Sequence, residues 1–249
     1  MTGNIHCTAI VDPQAKISDD TEIGPFSIIH GNVELGSGCK IGAYCELGIT
    51  SPIGGGMPLI IGKDSIIRSH SVFYESSRFG EKLVTGHRVT VREKTVAGKN
   101  LHIGTLGDVQ GDCVIGDYVR FHSNVHIGKM SSIGNFVWIY PYVALTNDPH
   151  PPSNIVKGVT MDDFAVIATM SIILPGVKIG RGAFIAAHSV LKFDAESGML
   201  YAGSPAKKVC SASKIILQDG TRRSAYPWVT HFSRGYPDKV INKWESDHG

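Results

Sequence analysis

Aliphatic residues recur at every sixth position along most of the chain. The series occupies residues 5–53, resumes at residue 61 after a slip of two positions, continues to residue 145 and returns over 161–191. Of these thirty positions only Thr85 is plainly polar. A helix would rotate a six-residue repeat around its axis, and a coiled coil requires a seven-residue repeat. The pattern therefore favours neither of these and indicates a solenoid.

The residues beside this aliphatic stripe are patterned as well. The next position is often glycine, and the position four residues on is usually small or β-branched. We expect each hexad to form a short strand and a tight turn, with three hexads in each triangular coil. The glycine would relieve backbone strain at a corner, and Cys39, Cys45 and Cys113 would pack inside the coils. The sequence thus predicts an all-β, parallel β-helix of about ten coils.

Composition narrows the classes of function. The 249 residues include 29 glycines and only 18% charged side chains, which is typical of a turn-rich β protein. The formal net charge of +2 gives no global signal for nucleic acid and suits a small anionic substrate equally well. The five scattered cysteines form no C-x-x-C pair, so neither a disulfide framework nor a zinc knuckle is expected. Without a signal-like start or a bilayer-length apolar run, we expect a cytoplasmic protein with no membrane insertion.

The repeat [ILV]-G-x-x-[small]-x over about residues 5–209 resembles the hexapeptide-repeat acyltransferase superfamily, whose fold is a left-handed parallel β-helix. The segments IHCTAIVDPQAKISDDTEIGPFSII and HRVTVREKTV resemble the acyltransferases that act on UDP-N-acetylglucosamine. The closing segments ILPGVKIGRGAFIAAHSVLKFD and YAGSPAKKV resemble acetyl-CoA-dependent members. The segment TNDPHPPS resembles a loop of sugar acetyltransferases, including those that N-acetylate nucleotide-linked amino sugars.

This resemblance implies a homotrimer with active sites between neighbouring β-helices and with acetyl-CoA along the C-terminal coils. Backbone amides at Ala168, Ala186 and Ala187 would hold the pantetheine arm. Cations and free N–H groups are what a phosphorylated anion requires. The residues expected near the adenine and its phosphates are Gly203, Ser204, Pro205, Ala206, Lys207 and Lys208.

Acyl transfer requires a positioned nucleophile and a group that accepts its proton. The His-Pro pair of the sugar acetyltransferases corresponds to His150 and its proline, and we favour His150 as the base. The catalytic histidine of the UDP-N-acetylglucosamine enzymes corresponds to Lys129, and their supportive histidine corresponds to His126, which is the alternative base. A third alternative is that the substrate amine attacks without a protein base, oriented by Asn147 and Asp148.

The repeat predicts two units: a β-helical acyltransferase domain over residues 1–209, with a loop insert at 146–158, and a C-terminal extension over 210–249. The extension carries aromatic residues and a short helix, and we expect it to cover the open end of the solenoid. The alternative is that Trp228, His231 or Arg234 reaches the base or phosphate of a nucleotide on an adjoining subunit.

Together these features predict an acetyl-CoA-dependent N-acetyltransferase for a dTDP-, UDP- or GDP-linked amino sugar in bacterial surface glycan or O-antigen synthesis. A sugar O-acetyltransferase or a longer-chain acyltransferase of the same fold remains open. A β-helical carbonic anhydrase, with His102, His122 and His126 as zinc ligands, is a distant alternative. An inactive β-helical scaffold is another. We expect no metal and no nucleic-acid partner.

Overall fold

The computed structural model describes residues 4–248, with side chains described to residue 244. Residues 1–3 and 249 of the two predicted units lie outside the described residues. Short parallel strands form three sheets, in which each strand pairs with the strand three further along the chain. This connectivity winds the chain into a triangular prism, and the predicted parallel β-solenoid of about ten coils is confirmed.

The strands fall into three sheets with the following bounds. Sheet I contains β1 (Asn4–Ile5), β4 (Glu22–Ile23), β7 (Lys40–Ile41), β10 (Ile66–Ile67), β13 (Val84–Thr85), β16 (His102–Ile103), β19 (Arg120–Phe121), β22 (Trp138–Ile139), β25 (Val166–Ile167), β28 (Phe184–Ile185), β30 (Met199–Gly203) and β31 (Ala206–Ser211). Sheet II contains β2 (Ile10–Val11), β5 (Ile28–Ile29), β8 (Glu46–Ile49), β11 (Val72–Tyr74), β14 (Thr90–Val91), β17 (Asp108–Val109), β20 (His126–Ile127), β23 (Ala144–Leu145), β26 (Ile172–Ile173) and β29 (Val190–Leu191). Sheet III contains β3 (Lys16–Ile17), β6 (Val33–Leu35), β9 (Leu59–Ile61), β12 (Arg78–Phe79), β15 (Val96–Ala97), β18 (Val114–Ile115), β21 (Ser132–Ile133), β24 (Thr160–Met161) and β27 (Lys178–Ile179).

The aliphatic stripe forms the core of the prism. Stripe residues pair in register with their copies one coil on, as Ile23 does with Ile41, and both side chains are buried. The polar exception Thr85 is also fully buried, and its hydroxyl accepts a hydrogen bond from the Arg68 backbone N–H. The three cysteines predicted to lie inside are buried: Cys39, Cys45 and Cys113. Burial raises the pKa of the Cys113 thiol to about 11.

The stripe glycines have a different role from the one predicted. A Cβ on Gly104 would lie 2.4 Å from the backbone at His122 and Ser123, and a Cβ on Gly62 would lie 2.5 Å from the backbone of Gly80. Glycine is therefore required because successive coils approach closely, not because these corners need a left-handed backbone. The left-handed corner residue is instead three positions after the stripe, where non-glycine residues such as Lys82 have φ near +60°.

Two loops interrupt the prism at the same corner, where sheet II leads to sheet III. The first follows β8 and the second, residues 146–158, follows β23. The predicted stripe position Ile53 is wrong, because this residue lies in the first loop and is 50% exposed. That loop is anchored by Ser51, which donates hydrogen bonds to the buried carboxylates of Glu75 and Glu93 at 3.2 and 3.1 Å. The loops are five coils apart, or about 24 Å at the usual strand spacing.

The C-terminal extension packs on the side of the prism. It contains two short 3₁₀ helices, Ala212–Lys214 and Trp228–Thr230, and the helix α1, Asp238–His248. Its buried aromatic residues contact outward-facing residues of sheet I and of the corner that precedes sheet I, in one cluster formed by Tyr118, Val166, Trp228, Tyr236 and Trp244. The sequence predicted that these aromatic residues cover the open end of the solenoid. They pack instead on a side face of the prism, because the outward-facing residues there are also aromatic. Within the described part of the chain, no helix is long and apolar enough to cross a membrane.

Candidate functional site

The best-defined pair of acid–base residues on the solenoid is Asp108 and His126. Asp108 opens β17 and His126 opens β20, so the two side chains point outward from sheet II on neighbouring coils. Nδ1 of His126 lies 2.9 Å from Oδ2 of Asp108. Both side chains are partly exposed, at 42% and 34%. The geometry fits a histidine whose ring is oriented by a carboxylate and whose Nε2 is available to a substrate.

Asp108 is kept ionised by its neighbours. Burial opposes ionisation, but hydrogen bonds from His126 and from the Gln110 amide, the latter at 2.7 Å, outweigh it. The result is a pKa of Asp108 below its ordinary value. A carboxylate that stays charged holds the Nδ1 proton of the imidazole and stabilises the imidazolium that forms when Nε2 accepts a proton.

Lys129, the residue at which the resemblance places a catalytic histidine, is held by an ion pair. Nζ of Lys129 lies 3.0 Å from Oδ2 of Asp112, one coil earlier. The second loop begins directly above this place, because the Cβ of Asn147 lies 3.2 Å from where a Cβ on Gly128 would be. The start of the loop and the Asp108–His126 pair thus occupy adjoining coils at one corner of the prism.

Within the loop, Asp148 organises the backbone. Its carboxylate accepts hydrogen bonds from the backbone N–H of His150 at 2.9 Å, and from both the N–H and the hydroxyl of Ser153 at 2.9 and 2.6 Å. The bond from the Ser153 hydroxyl is the main reason that the pKa of Asp148 is lowered. With its oxygens so engaged, Asp148 shapes the loop, whereas the partly buried Asn147 uses only its backbone carbonyl, which accepts from Lys157 N–H at 2.8 Å.

His150, the base favoured from the sequence, is exposed on this loop. Over residues 4–244 its imidazole makes no hydrogen bond or ion pair, and only its backbone N–H is engaged, with Asp148. Among residues 4–244 no carboxylate hydrogen-bonds its ring, although the charge of His150 is one of the smaller causes that lower the pKa of Asp148. In this structure His126 therefore has a carboxylate hydrogen-bonded to its ring, whereas His150 is hydrogen-bonded to a carboxylate only through its backbone N–H.

The predicted pantetheine site includes backbone amides that the fold already uses. The backbone N–H of Ala168 donates to Ile185 and that of Ala186 donates to Tyr201, both within the ladder between coils, at 2.8 and 2.9 Å. These two amides are already hydrogen-bonded between coils, and the expectation that the backbone around Ala168, Ala186 and Ala187 holds pantetheine stays a prediction. Ala187, one residue further, is exposed at the corner.

The residues predicted to meet the nucleotide end of acetyl-CoA form a hairpin. Gly203 ends β30 and Ala206 begins β31, with Ser204 and Pro205 as the exposed tip between them. Lys207 is exposed, and no ion pair is found for it within the described residues. Lys208 is paired with Glu196 at 2.6 Å, which raises the pKa of the lysine. In the hairpin, Lys207 is therefore available to an anion, whereas the charge of Lys208 is already neutralised by Glu196.

The three histidines considered as zinc ligands do not form one cluster. His102 opens a strand of sheet I and His122 follows another, whereas His126 lies on sheet II beside Asp108. Among residues 4–248, no group of three or more histidine, cysteine or acidic residues is placed to hold a metal ion. The carbonic anhydrase alternative is wrong in this respect.

Asp108 is the residue that sequence reasoning missed. It stands 18 positions before His126, which is one full coil of three hexads. Once the period is known, that spacing places two side chains on adjacent strands of the same sheet, as the observed register of Asp108 with His126 confirms. Searching for acid–histidine pairs at 18-residue separation would have identified it.

Comparisons of sequence agree with the repeat. The family description "Bacterial transferase hexapeptide (six repeats)" matches residues 5–48. An acyl-[acyl-carrier-protein]–UDP-N-acetylglucosamine O-acyltransferase of Saccharophagus degradans is 30% identical over 131 residues, 53% of this chain and 48% of that protein. A 2,3,4,5-tetrahydropyridine-2,6-dicarboxylate N-acetyltransferase of Staphylococcus aureus is 30% identical over 92 residues, 37% of this chain and 33% of the relative. The chain thus spans about half the length of the first relative and a third of the second.

Comparisons of structure support the same fold. The UDP-N-acetylglucosamine acyltransferase of Arabidopsis has a TM-score of 0.60 at 20% identity, with 83% of this chain and 74% of that chain covered. The corresponding enzyme of Bacteroides fragilis has a TM-score of 0.56 at 17% identity, with 96% and 81% covered. At such low identity these likenesses concern the fold alone.

Proposed function

We propose that this chain, which belongs to the hexapeptide-repeat superfamily, is an acyltransferase that transfers an acetyl group from acetyl-CoA to the amine of a nucleotide-linked amino sugar. The observation that carries the proposal is the Asp108–His126 pair, set beside the loop at 146–158. The names of the similar proteins, an O-acyltransferase of UDP-N-acetylglucosamine and an N-acetyltransferase, support acyl transfer to a small polar acceptor.

In this proposal, His126 is the general base. The Nδ1–H group donates a hydrogen bond to Asp108 and keeps its proton, while Nε2 accepts a proton from the attacking amine as the new N–C bond forms at the thioester carbonyl. The C–S bond then breaks and the proton passes from the imidazolium to the departing CoA thiolate. Asp108 stabilises the transient imidazolium, and Gln110 fixes the carboxylate in place.

The loop at 146–158 would position the acceptor. Asn147 stands at the corner beside His126, and its amide would hydrogen-bond the amino sugar. Asp148 would act indirectly by holding the loop through Ser153 and the His150 N–H. His150 would contact the acceptor from the exposed side of the loop without serving as the base.

The donor would approach along the C-terminal coils. Ala187 and the hairpin tip at Gly203, Ser204 and Pro205 are exposed there, and Lys207 would pair with a phosphate of acetyl-CoA. Lys208 would first have to leave Glu196. We place this reaction in the cytoplasm as part of the same proposal.

We further propose a homotrimer. Support comes from a row of apolar side chains along the corner between sheets I and II, each about half exposed: Phe26, Tyr44, Leu106, Tyr142 and Met170. Stacked rings at Phe26, Tyr44 and His70, with centroids 5.0 Å apart, stiffen the first part of this row. His70, Arg88 and Asn124 occupy the same corner on the intervening coils, so polar residues interrupt the row. Exposed apolar side chains grouped along one edge are typical of an interface between protein chains.

The test is release of the CoA thiol from acetyl-CoA with dTDP-, UDP- and GDP-linked amino sugars, each beside the matching sugar that has a hydroxyl in place of the amine. We expect turnover with one or more amino sugars and an N-acetylated product by mass spectrometry. Turnover with the hydroxyl sugars alone would contradict N-acetylation while preserving acyl transfer.

A second candidate is O-acylation of a UDP-linked sugar with a longer acyl chain. It is favoured by the alignment of half the chain with an enzyme named for O-acyl transfer from acyl carrier protein. Replacing acetyl-CoA by acyl-[acyl-carrier-protein] in the same assay, with UDP-N-acetylglucosamine as acceptor, decides between the two donors.

A further inference from the structure

A cavity lies between sheet I and the C-terminal extension, on a different face of the prism from the Asp108–His126 pair. Its volume is about 280 Å³, and it opens into a groove of about 470 Å³ along sheet I. The two spaces share four lining residues: His122, Trp138, Phe232 and Arg234. They therefore form one continuous site, which we call the lateral cavity.

The lateral cavity is lined by basic groups without acidic partners. Its walls include Arg68, Arg120 and Arg234, together with three histidines, and no aspartate or glutamate. None of the three arginines forms an ion pair with a carboxylate of the described residues. Arg120 is buried and donates to the Asn100 side chain and backbone. Arg68 and Arg234 are exposed: Arg68 donates to the Thr85 carbonyl at 3.0 Å, and the Arg234 guanidinium lies 5.7 Å from the centroid of the Phe232 ring. Uncompensated positive charge of this kind favours an anionic ligand.

Flat rings line the lateral cavity where its two parts meet. The rings of His122 and Tyr140 are stacked with centroids 4.6 Å apart and nearly parallel, and Trp138 lies beside them. Such a platform suits the face of a planar heterocycle, because every nucleobase can stack on an aromatic ring.

One polar group of this wall has no partner. The indole N–H of Trp228 is buried, with the residue only 7% exposed, and it donates to no acceptor in the part of the chain that the structure describes. A buried donor without an acceptor is costly, and such groups are rare in folded proteins. The neighbouring indole of Trp138 does have an acceptor, the hydroxyl of Tyr236 at 3.0 Å.

The histidine at the mouth of the groove is consistent with this charge imbalance. Burial and the positive charges of Arg120 and Arg68 lower the pKa of His102 to about 4. His102 is therefore neutral at neutral pH.

We propose that the lateral cavity binds a nucleoside diphosphate group, with the base against the His122–Tyr140 platform and the phosphates at Arg234 and Arg68. Both substrates of the proposed reaction carry this group: the nucleotide-linked sugar, and acetyl-CoA through its adenosine diphosphate end. The identity of these two ligands rests on the proposed function, whereas the charge and the aromatic lining of the cavity do not. It assigns the extension a role in binding, because Trp228, His231 and Arg234 form one wall.

Calorimetry and tryptophan fluorescence test this inference on the full chain without any acyl transfer. Two of the three tryptophans line the cavity, so a bound ligand should change the emission. The probes are UDP, dTDP and 3′-phospho-ADP, with uridine and inorganic pyrophosphate as the separate halves. We expect saturable binding of a nucleoside diphosphate and at least tenfold weaker binding of either half.

Two variants locate the site. Arg234→Gln and, independently, Arg68→Gln should each weaken binding about tenfold, because each removes a charge-assisted contact to phosphate. Arg222→Gln is the matched control, since Arg222 is an exposed arginine of the same extension outside the cavity. Binding by UDP or dTDP assigns the cavity to the acceptor, and binding by 3′-phospho-ADP assigns it to the donor.

The inference is overturned if none of the nucleotides binds, or if both arginine variants bind as tightly as the unaltered chain. Failure of the proposed reaction is distinguishable, because nucleotide binding is measured without a donor. Binding without turnover leaves the lateral cavity in place and removes the catalytic assignment.

Discussion

At the scale of single residues, the solenoid brings together an acid–histidine pair from positions 18 apart. Asp108 and His126 face outward on adjacent strands because every coil repeats the same three-strand geometry. The pair needs no loop to hold it, and the strands fix both backbones. The carboxylate stays ionised because His126 and Gln110 both hydrogen-bond it.

Asp108→Asn tests the orienting role. The amide cannot stabilise an imidazolium, so we expect kcat to fall about 100-fold with little change in KM, and the apparent pKa of the base in the pH–rate profile to fall. Asp19→Asn, an exposed aspartate far along the prism, is the control. An unchanged pH–rate profile in Asp108→Asn would contradict the pairing.

Glu93 is a second residue whose charge matters, here for stability. Arg92 donates two hydrogen bonds to its carboxylate at 2.8 and 2.9 Å, and these are the main reason that the pKa of Glu93 is lowered to about 2. Because the folded-state pKa is below the unfolded value, the stabilisation is complete above about pH 4.5 and is lost as the pH falls towards 2.

Glu93→Gln should therefore lower the free energy of unfolding by about 3 kcal/mol at pH 7 and by much less near pH 3, as measured by urea denaturation. Glu22→Gln, which removes an exposed ion pair with Lys40, should change stability by under about 1 kcal/mol at either pH. A pH-independent loss in Glu93→Gln would show that packing, and not the ion pair, is responsible.

At the scale of the structural element, each hexad combines a two-residue strand with a corner in the left-handed region. Lys82 occupies such a corner with φ of 62°, whereas Lys178 lies in strand β27. A left-handed backbone costs a non-glycine residue about 1 kcal/mol, and glycine avoids that cost but loses more entropy on folding.

Lys82→Gly should therefore change the free energy of unfolding little, whereas Lys178→Gly should lower it by about 1 kcal/mol. Both lysines are exposed, so the pair isolates the backbone term. Thermal or urea unfolding of the two variants measures the difference. Equal destabilisation of the two variants would contradict the assignment of strain to the corner.

At the scale of the whole molecule, the three faces and corners of the prism are specialised. One corner carries both inserted loops, another carries the exposed apolar row, and one sheet is covered by the extension. The proposed trimer would use the apolar row and leave the inserted loops facing a neighbouring subunit.

Light scattering on the eluted protein should give three times the chain mass of 26.8 kDa. Tyr142→Glu, which places a charge in the row, should shift the mass towards that of one chain. Val114→Glu on sheet III is the matched control, because both side chains are 56% exposed. A single-chain mass for the unaltered protein would contradict the trimer.

The periodic part of this molecule was predictable because it is a local rule repeated many times. Stripe residues such as Ile23 and Ile41 are buried in register, as six-residue spacing requires. The six-residue period gave a wrong prediction at Ile53, because this hydrophobic residue matches the period but lies exposed in a loop. From the six-residue period alone, a short loop inserted between two strands looks the same as a shift of the repeat by a few residues.

The site was less predictable because it depends on contacts between coils and between distant segments. Motif matching selected His150, but the orienting partner of His126 comes from one coil earlier and from no shared motif. The packing of the extension on sheet I depends on residues more than 90 positions apart, as in the hydrogen bond from Trp138 to Tyr236. Such pairings are set by the three-dimensional path of the chain.

The central claim is that His126, oriented by Asp108, is the base of an acyl transfer. The most direct measurement is kcat for CoA release in His126→Ala and His150→Ala, each with acetyl-CoA and the best amino sugar of the panel. We expect a loss of about 100-fold or more in His126→Ala and less than about tenfold in His150→Ala. Near-normal kcat in His126→Ala, with a large loss in His150→Ala, would contradict the claim and return the base to the loop.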